Sequence, residues 1–213
     1  MNNNNFNDSL ISTITKSKLP EVITDLAEVN IDNVFNNISF LKDIPILGVI
    51  VNLFSTTLSI RDYIFMSKIV SFLKPMDKIS PEDREKMFLK LELNEEYNGK
   101  VGNKLLFILD KIDDLQKAKL IGVLFKNTLC GKLNYELFLR YASIIDKVFL
   151  SDLKRLPEYE TPIGNQEISA SLYGLGLIIR TGIFDNTEND IEQDIYKLSN
   201  LGKTLNELLE DEW

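Results

Sequence analysis

Residues 165–209 read NQEISASLYGLGLIIRTGIFDNTENDIEQDIYKLSNLGKTLNELL, and here alone in the chain the helical apolar period gives way. Asn165 to Leu175 reads as a helix. Leu177-Ile178-Ile179 is a short run of large aliphatic residues, suited to a strand. Phe184 to Asp194 is acidic and unpatterned, which reads as a loop, and Ile195-Tyr196-Lys197-Leu198 returns as a second strand. Ser199 is placed to cap a last helix carrying Leu201, Leu205, Leu208 and Leu209. The stretch therefore predicts helix, strand, loop, strand, helix.

Upstream the pattern is helix after helix. Ser17, Pro20 and Glu21 signal a short helix through about Glu28, and Ile31, Val34, Ile38 and Leu41 form an apolar stripe. Ser80-Pro81-Glu82-Asp83 is a complete start signal: a capping hydroxyl, proline at the first helical position, and two carboxylates at the positive end of the dipole. Asn98-Gly99 ends that helix. Val101, Leu105, Ile108, Leu109 and Ile112 make the next stripe. Asp113 or Asp114 caps a helix with Leu120, Leu124 and Leu129, and Gly131 stands just past its end. Asn134 caps another, with Leu137, Phe138, Tyr141, Ile144, Ile145 and Val148 on one side. Ser151 starts a short helix that Pro157 stops. The predicted class is mainly α: a multi-helix bundle followed by a small helix–β-hairpin–helix module.

Pro157 to Gly164, with two prolines and a glycine, reads as a linker between a bundle at 1–157 and a module at 158–213. Charge shifts at the same place. Of the 213 residues, 24 are Lys or Arg and 32 Asp or Glu; residues 1–157 hold 21 basic and 20 acidic groups, and residues 158–213 hold 3 and 12. Phosphate backbones repel a segment of that sign, which argues against nucleic acid as a partner. Met1 to Asp8 is rich in Asn, carries no basic residue and leads into no apolar signal core. With Cys130 as the single thiol, the expected compartment is the cytoplasm.

Residues 44–73 are the most apolar part of the chain, with 17 consecutive uncharged positions from Ile44 to Ile60. One reading is a central helix buried on most sides, with Ile46, Leu47, Val49, Ile50, Leu53 and Phe54 in the core, with or without a bend near Thr56–Ser59. A second is a helix that enters a bilayer or a partner on activation. A permanent span would want about 20 predominantly apolar residues.

Composition removes whole classes of chemistry. The chain has no histidine, so His-ligated metals and Ser–His or Cys–His nucleophiles are excluded, and with one cysteine an intrachain disulfide is excluded too. Ser151-Asp152-Leu153-Lys154 matches a Ser-x-x-Lys pair, but its companion motifs are missing and a helix cap explains the spacing. Gly202-Lys203-Thr204 echoes a phosphate loop, with Lys197 where the first glycine belongs. Gly99-Lys100-Val101-Gly102 reads as an interhelical turn. Asp110, Asp113 and Asp114 would share a face only if their helix continued past Ile112. Asp185, Glu188, Asp190, Glu192 and Asp194 crowd the hairpin, yet Asp190 and Tyr196 stand where a calcium loop needs glycine and glutamate. Cys130 reads as a small core residue. No catalytic, cofactor-binding or metal site is predicted. Enzyme chemistry survives only through carboxylate, lysine or tyrosine groups assembled from distant positions.

Leu172-Tyr173-Gly174-Leu175-Gly176-Leu177-Ile178, followed by Tyr196-Lys197-Leu198-Ser199-Asn200-Leu201-Gly202-Lys203, resembles the close of a winged-helix module, with Ser199 where threonine is usual. The layout is similar to small bacterial proteins of the abortive-infection alpha type. That resemblance implies a setting in bacterial defence against phage and brings no catalytic residues with it. A winged-helix DNA-binding regulator is the alternative it implies, but Asn165 to Leu175 has no basic residue and the wing carries five acids. The expected function is non-enzymatic, through contacts with a partner protein at Asp185, Glu188, Asp190, Glu192 and Asp194. A membrane contact through residues 44–73 and association of the chain with itself remain open in this reading.

Overall fold

The computed structural model describes residues 3–17, 19, 44–53, 59–93, 97, 99–186 and 191–212. The helix signals at Pro20–Glu28, the stripe from Ile31 to Leu41, and Phe54 to Leu58 of the expected bend lie outside them. Among the described residues there are ten α-helices and one small antiparallel sheet. The chain divides into two units, Met1–Ala142 and Ser143–Trp213.

The first unit is organised around α1 (Asn3–Lys16), in a stretch where the sequence suggested no element. Its Leu10 and Ile14 are fully buried, as is the polar Thr13, and Asn7 is buried too. These polar groups are buried without penalty because they serve other helices, whose first N–H groups have no partner of their own. The Oδ1 of Asn7 accepts from the Asn103 amide (3.0 Å) in the first turn of α5 (Val101–Lys111). Thr13 Oγ1 accepts from the Ile46 amide (3.1 Å) in the first turn of α2 (Pro45–Leu53). Gly102 permits the first contact, since a Cβ there would stand 2.6 Å from Asn7 Oδ1.

The other end of α1 is held by Arg84, a residue of α4 (Pro81–Glu92) with no solvent exposure. Its guanidinium donates to the carbonyls of Ile14 (2.6 Å), Ser17 (2.5 Å) and Ile79 (3.1 Å). The last carbonyls of a helix lack partners and carry partial negative charge, so a cation there is doubly matched. Burial lowers the Arg84 pKa, and Glu82 opposes that shift. Ser80 caps α4 as its sequence implied, accepting from the Asp83 amide at 3.1 Å.

The apolar stretch 44–73 forms two helices, α2 and α3 (Ile60–Leu73). Ser59 starts α3 with a capping box: its side chain accepts from the Asp62 amide, and Asp62 accepts from the Ser59 amide at 2.8 Å. Ile46, Leu47 and Ile50 are buried and Val49 is half-buried; the Leu53 side chain and Phe54 lie outside the described residues. Among the described residues no helix is long and apolar enough to cross a membrane.

Helix α3 lies against α6 (Leu115–Leu129) so closely that a Cβ on Gly122 would collide with the Phe72 carbonyl. An aromatic chain runs on from there. Phe72 meets Phe125 (5.6 Å between centroids), Phe125 meets Phe138 (5.4 Å), Phe138 stacks on Tyr135 (5.7 Å), and Tyr135 meets Tyr97 (4.6 Å). Asp114 caps α6, and Gly131 (φ +73°) follows its end, both as the sequence implied. Asn134 caps α7 (Tyr135–Lys147) through the Leu137 amide at 2.7 Å, and the division between the units falls within that helix.

The second unit contains α8 (Leu150–Lys154), a 3-10 turn at Leu156–Glu160, β1 (Ile163–Gly164), α9 (Ser169–Gly174), β2 (Ile178–Asn186), β3 (Ile191–Leu198) and α10 (Asn200–Leu209). The sheet order is β1-β3-β2, all antiparallel. Residues 157–164, read as a linker, belong to this unit. Leu156 and Tyr159 are buried, and β1 pairs with Tyr196 and Ile195 of β3. The two prolines bound short ordered pieces rather than a free tether. Helix α9 begins four residues later than expected, because the buried Ser169 hydroxyl accepts from the Gln166 amide (2.8 Å) and pairs with the Tyr159 hydroxyl (2.8 Å).

Two outcomes test this account. Arg84→Met leaves three carbonyls without their donor, and urea unfolding should show a loss of about 3 kcal/mol or more, with Arg84→Lys intermediate. Burial, with Tyr97 beside it, pushes the Tyr135 phenol up to about 12. Its neutral form is favoured by folding, so this contribution is intact below about pH 10 and lost as pH rises toward 12. Tyr135→Phe should flatten the alkaline fall in stability over that interval.

Candidate functional site

Of the acidic residues expected to meet a partner, Asp185, Glu192 and Asp194 belong to the hairpin strands of the second unit. Charge is divided between the units more sharply than at residue 157. Residues 1–142 hold 18 basic and 18 acidic groups, whereas residues 143–213 hold 6 and 14, so the formal charge of −8 lies in the second unit.

Local sequence explains how the hairpin is set. Gly176 adopts φ +75°, turning the chain from α9 into β2. Ser199 then caps α10, accepting from the Gly202 amide at 2.9 Å. The Ser199 proton is shared between the Gly176 (2.6 Å) and Leu177 (3.1 Å) carbonyls. A Cβ on Gly202 would collide with the Leu177 carbonyl, so the base of β2 and the start of α10 are in backbone contact. Ile178 and Leu198 are paired at that base, and both are buried.

Both strands are longer than the sequence suggested, and the acidic stretch read as a loop supplies much of them. Asp185 lies on β2 directly opposite Glu192 on β3, and Asp194 lies opposite Ile183. Glu188 and Asp190 fall outside the described residues, as do the side chains of Asp185 and Glu192. A register shift between Arg180 and Gly182 leaves Thr181 as an extra residue.

Asp194 is the best-defined member of the set. Its Oδ1 accepts from Arg180 Nε at 2.7 Å, and its Oδ2 accepts from the Tyr196 hydroxyl at 3.2 Å. Desolvation, then the Asp194 charge, raises the Tyr196 phenol pKa. Tyr196 in turn meets Tyr173 of α9 edge-on, with centroids 5.7 Å apart. Tyr173, Ile179 and Ile183 are exposed. Arg180 is not among the residues the sequence points to, and Tyr173 and Tyr196 enter there as strand and resemblance residues, not as members of a site. The spacing of Asp194 and Tyr196, two apart on one strand, would have pointed to a shared face.

The other candidates are resolved by local geometry. Ser151 is no cap: Phe149 precedes α8 in the cap position, and the Ser151 hydroxyl donates to Asp152 (3.1 Å). Asp114 is the cap of α6, while Asp113 pairs with the buried Lys117 at 3.0 Å and is held below the usual carboxylate range by it. Asp110 belongs to α5, so the three aspartates do not converge, and no group of carboxylates that could hold a metal ion occurs among the described residues. Cys130 is exposed at the end of α6 and not in the core. Of the expected turn Gly99 to Gly102, Gly99 (φ +67°) and Lys100 precede α5, while Val101 and Gly102 already belong to that helix.

Comparison with known proteins returned no matching family, no matching curated protein and no matching solved structure.

Proposed function

We propose that this chain works without catalysis, by docking the acidic hairpin of its second unit onto a basic surface of a partner protein. The observation that carries the proposal is the register pair Asp185–Glu192. Like charges placed directly opposite each other on neighbouring strands cost a hairpin stability, roughly 0.2–1 kcal/mol. Such a pair gains nothing for the fold, and a cationic partner would relieve it. The concentration of net negative charge in residues 143–213 supports the same reading and disfavours duplex DNA. Exposed Tyr173, Ile179 and Ile183 supply apolar area of the kind interface cores use. The likeness of residues 172–203 to abortive-infection alpha proteins suggests bacterial defence against phage as the setting.

Stability and binding should move in opposite directions. In the double variant Asp185→Asn, Glu192→Gln, the melting temperature should stay level or rise. Salt-sensitive copurification of the cellular partner, identified by mass spectrometry, should fall about tenfold. A lowered melting temperature with the same copurifying proteins would overturn the proposal. Salt-sensitive binding of the unmodified chain to duplex DNA would favour the regulator reading instead.

A further inference from the structure

We infer that Asp194 is the position at which the docking hairpin takes an arginine of its partner, and that Arg180 fills that position within the chain until the partner displaces it. The inference rests on the docking reading above and names the residue type the partner must bring. Every residue in it belongs to the second unit. Asp194, Tyr196, Arg180 and Ile183 share one face of the sheet: Arg180 is the register partner of Tyr196, and Ile183 that of Asp194. Arg180 therefore reaches Asp194 on the diagonal, past its own partner and across the extra residue at Thr181. Tyr173 of α9 borders the same spot, edge-on to Tyr196 and 52% exposed.

Several properties make this a seat for a guanidinium that can be exchanged. The carboxylate is set without help from Arg180, since the Tyr196 hydroxyl donates to its other oxygen at 3.2 Å. The Arg180 contact is short, Nε to Oδ1 at 2.7 Å, yet the two side chains are 47% and 36% exposed. An ion pair so open to water adds little to stability, so giving it up costs the fold little. A ring beside a carboxylate suits arginine better than lysine, because a planar guanidinium can stack on the one while bonding the other. Tyrosine and arginine are also the residue types that dominate binding at protein interfaces. From Ile178 to Leu198 five residues are acidic, and the two basic ones are Arg180 and Lys197. Lys197 is the register partner of Ile179 and lies on the opposite face, so of the two Arg180 alone can stand in for the partner at Asp194.

The test follows binding of labelled octa-arginine and octa-lysine peptides to the full chain by fluorescence anisotropy, at about 0.15 M salt. Arg180→Gln removes the internal competitor and should tighten octa-arginine binding about tenfold. Lys197→Gln makes the same charge change on the other face and should alter binding by no more than about twofold. Asp194→Asn should weaken octa-arginine binding about tenfold, and Tyr173→Leu should remove the preference for octa-arginine over octa-lysine. Each variant should keep the circular dichroism of the parent, and Arg180→Gln against Lys197→Gln decides if Asp194→Asn fails to fold. Equal gains from Arg180→Gln and Lys197→Gln, weaker binding by Arg180→Gln, or equal binding of both peptides by the parent would overturn the inference. So would the absence of binding by both the parent and Arg180→Gln. The docking reading stands or falls separately, on copurification with Asp185 and Glu192 altered and none of these residues touched.

Discussion

A buried guanidinium with no carboxylate in contact among the described residues is an unusual thing to build a domain around, since an ion stripped of water needs full compensation. Arg84 obtains it from three backbone carbonyls, two of them at the end of α1. The arrangement binds α1 to the start of α4, while Asn7 and Thr13 bind it to the starts of α5 and α2. One helix of modest apolarity thereby becomes the hub of the first unit. Its own hydrophobic area, chiefly Leu10 and Ile14, could not place it so definitely, because apolar contacts tolerate sliding and directed hydrogen bonds do not.

The second unit solves a different problem with the same economy of means. A small sheet needs a helix against it, and here one serine and two glycines bring the pieces together. Gly176 makes the turn, Gly202 admits the Leu177 carbonyl, and Ser199 joins the two by hydrogen bonds. The hairpin arms beyond that base are free to carry charge that the fold does not need. Asp194 holds Arg180 and Tyr196, while Asp185 and Glu192 are register partners.

Features written in neighbouring residues were legible. Ser80, Asp114, Asn134 and Ser199 cap helices, and Gly131 follows one, because a cap is made within about four residues of chain. Helix α1 was hidden because its reasons lie far away, in Ile46, Arg84 and Asn103. The two-residue β1 was hidden directly after Pro162 and itself ends on a glycine, with nothing periodic to find. The strand ends were hidden because acidic residues occupy strand positions and the extra residue at Thr181 breaks the alternation. For the candidate site, composition drew attention to the acids, while the pairing of Asp194 with Arg180 and Tyr196 required the shifted register.

That shift also bears on how the molecule avoids sticking to itself. Strand β2 is an outer strand, and β1 shields only two positions of β3. An uninterrupted outer edge nine residues long would invite a neighbouring chain to zip onto it. The extra residue at Thr181 interrupts that edge, leaving two shorter runs. An incoming strand would find no continuous ladder to copy along that edge.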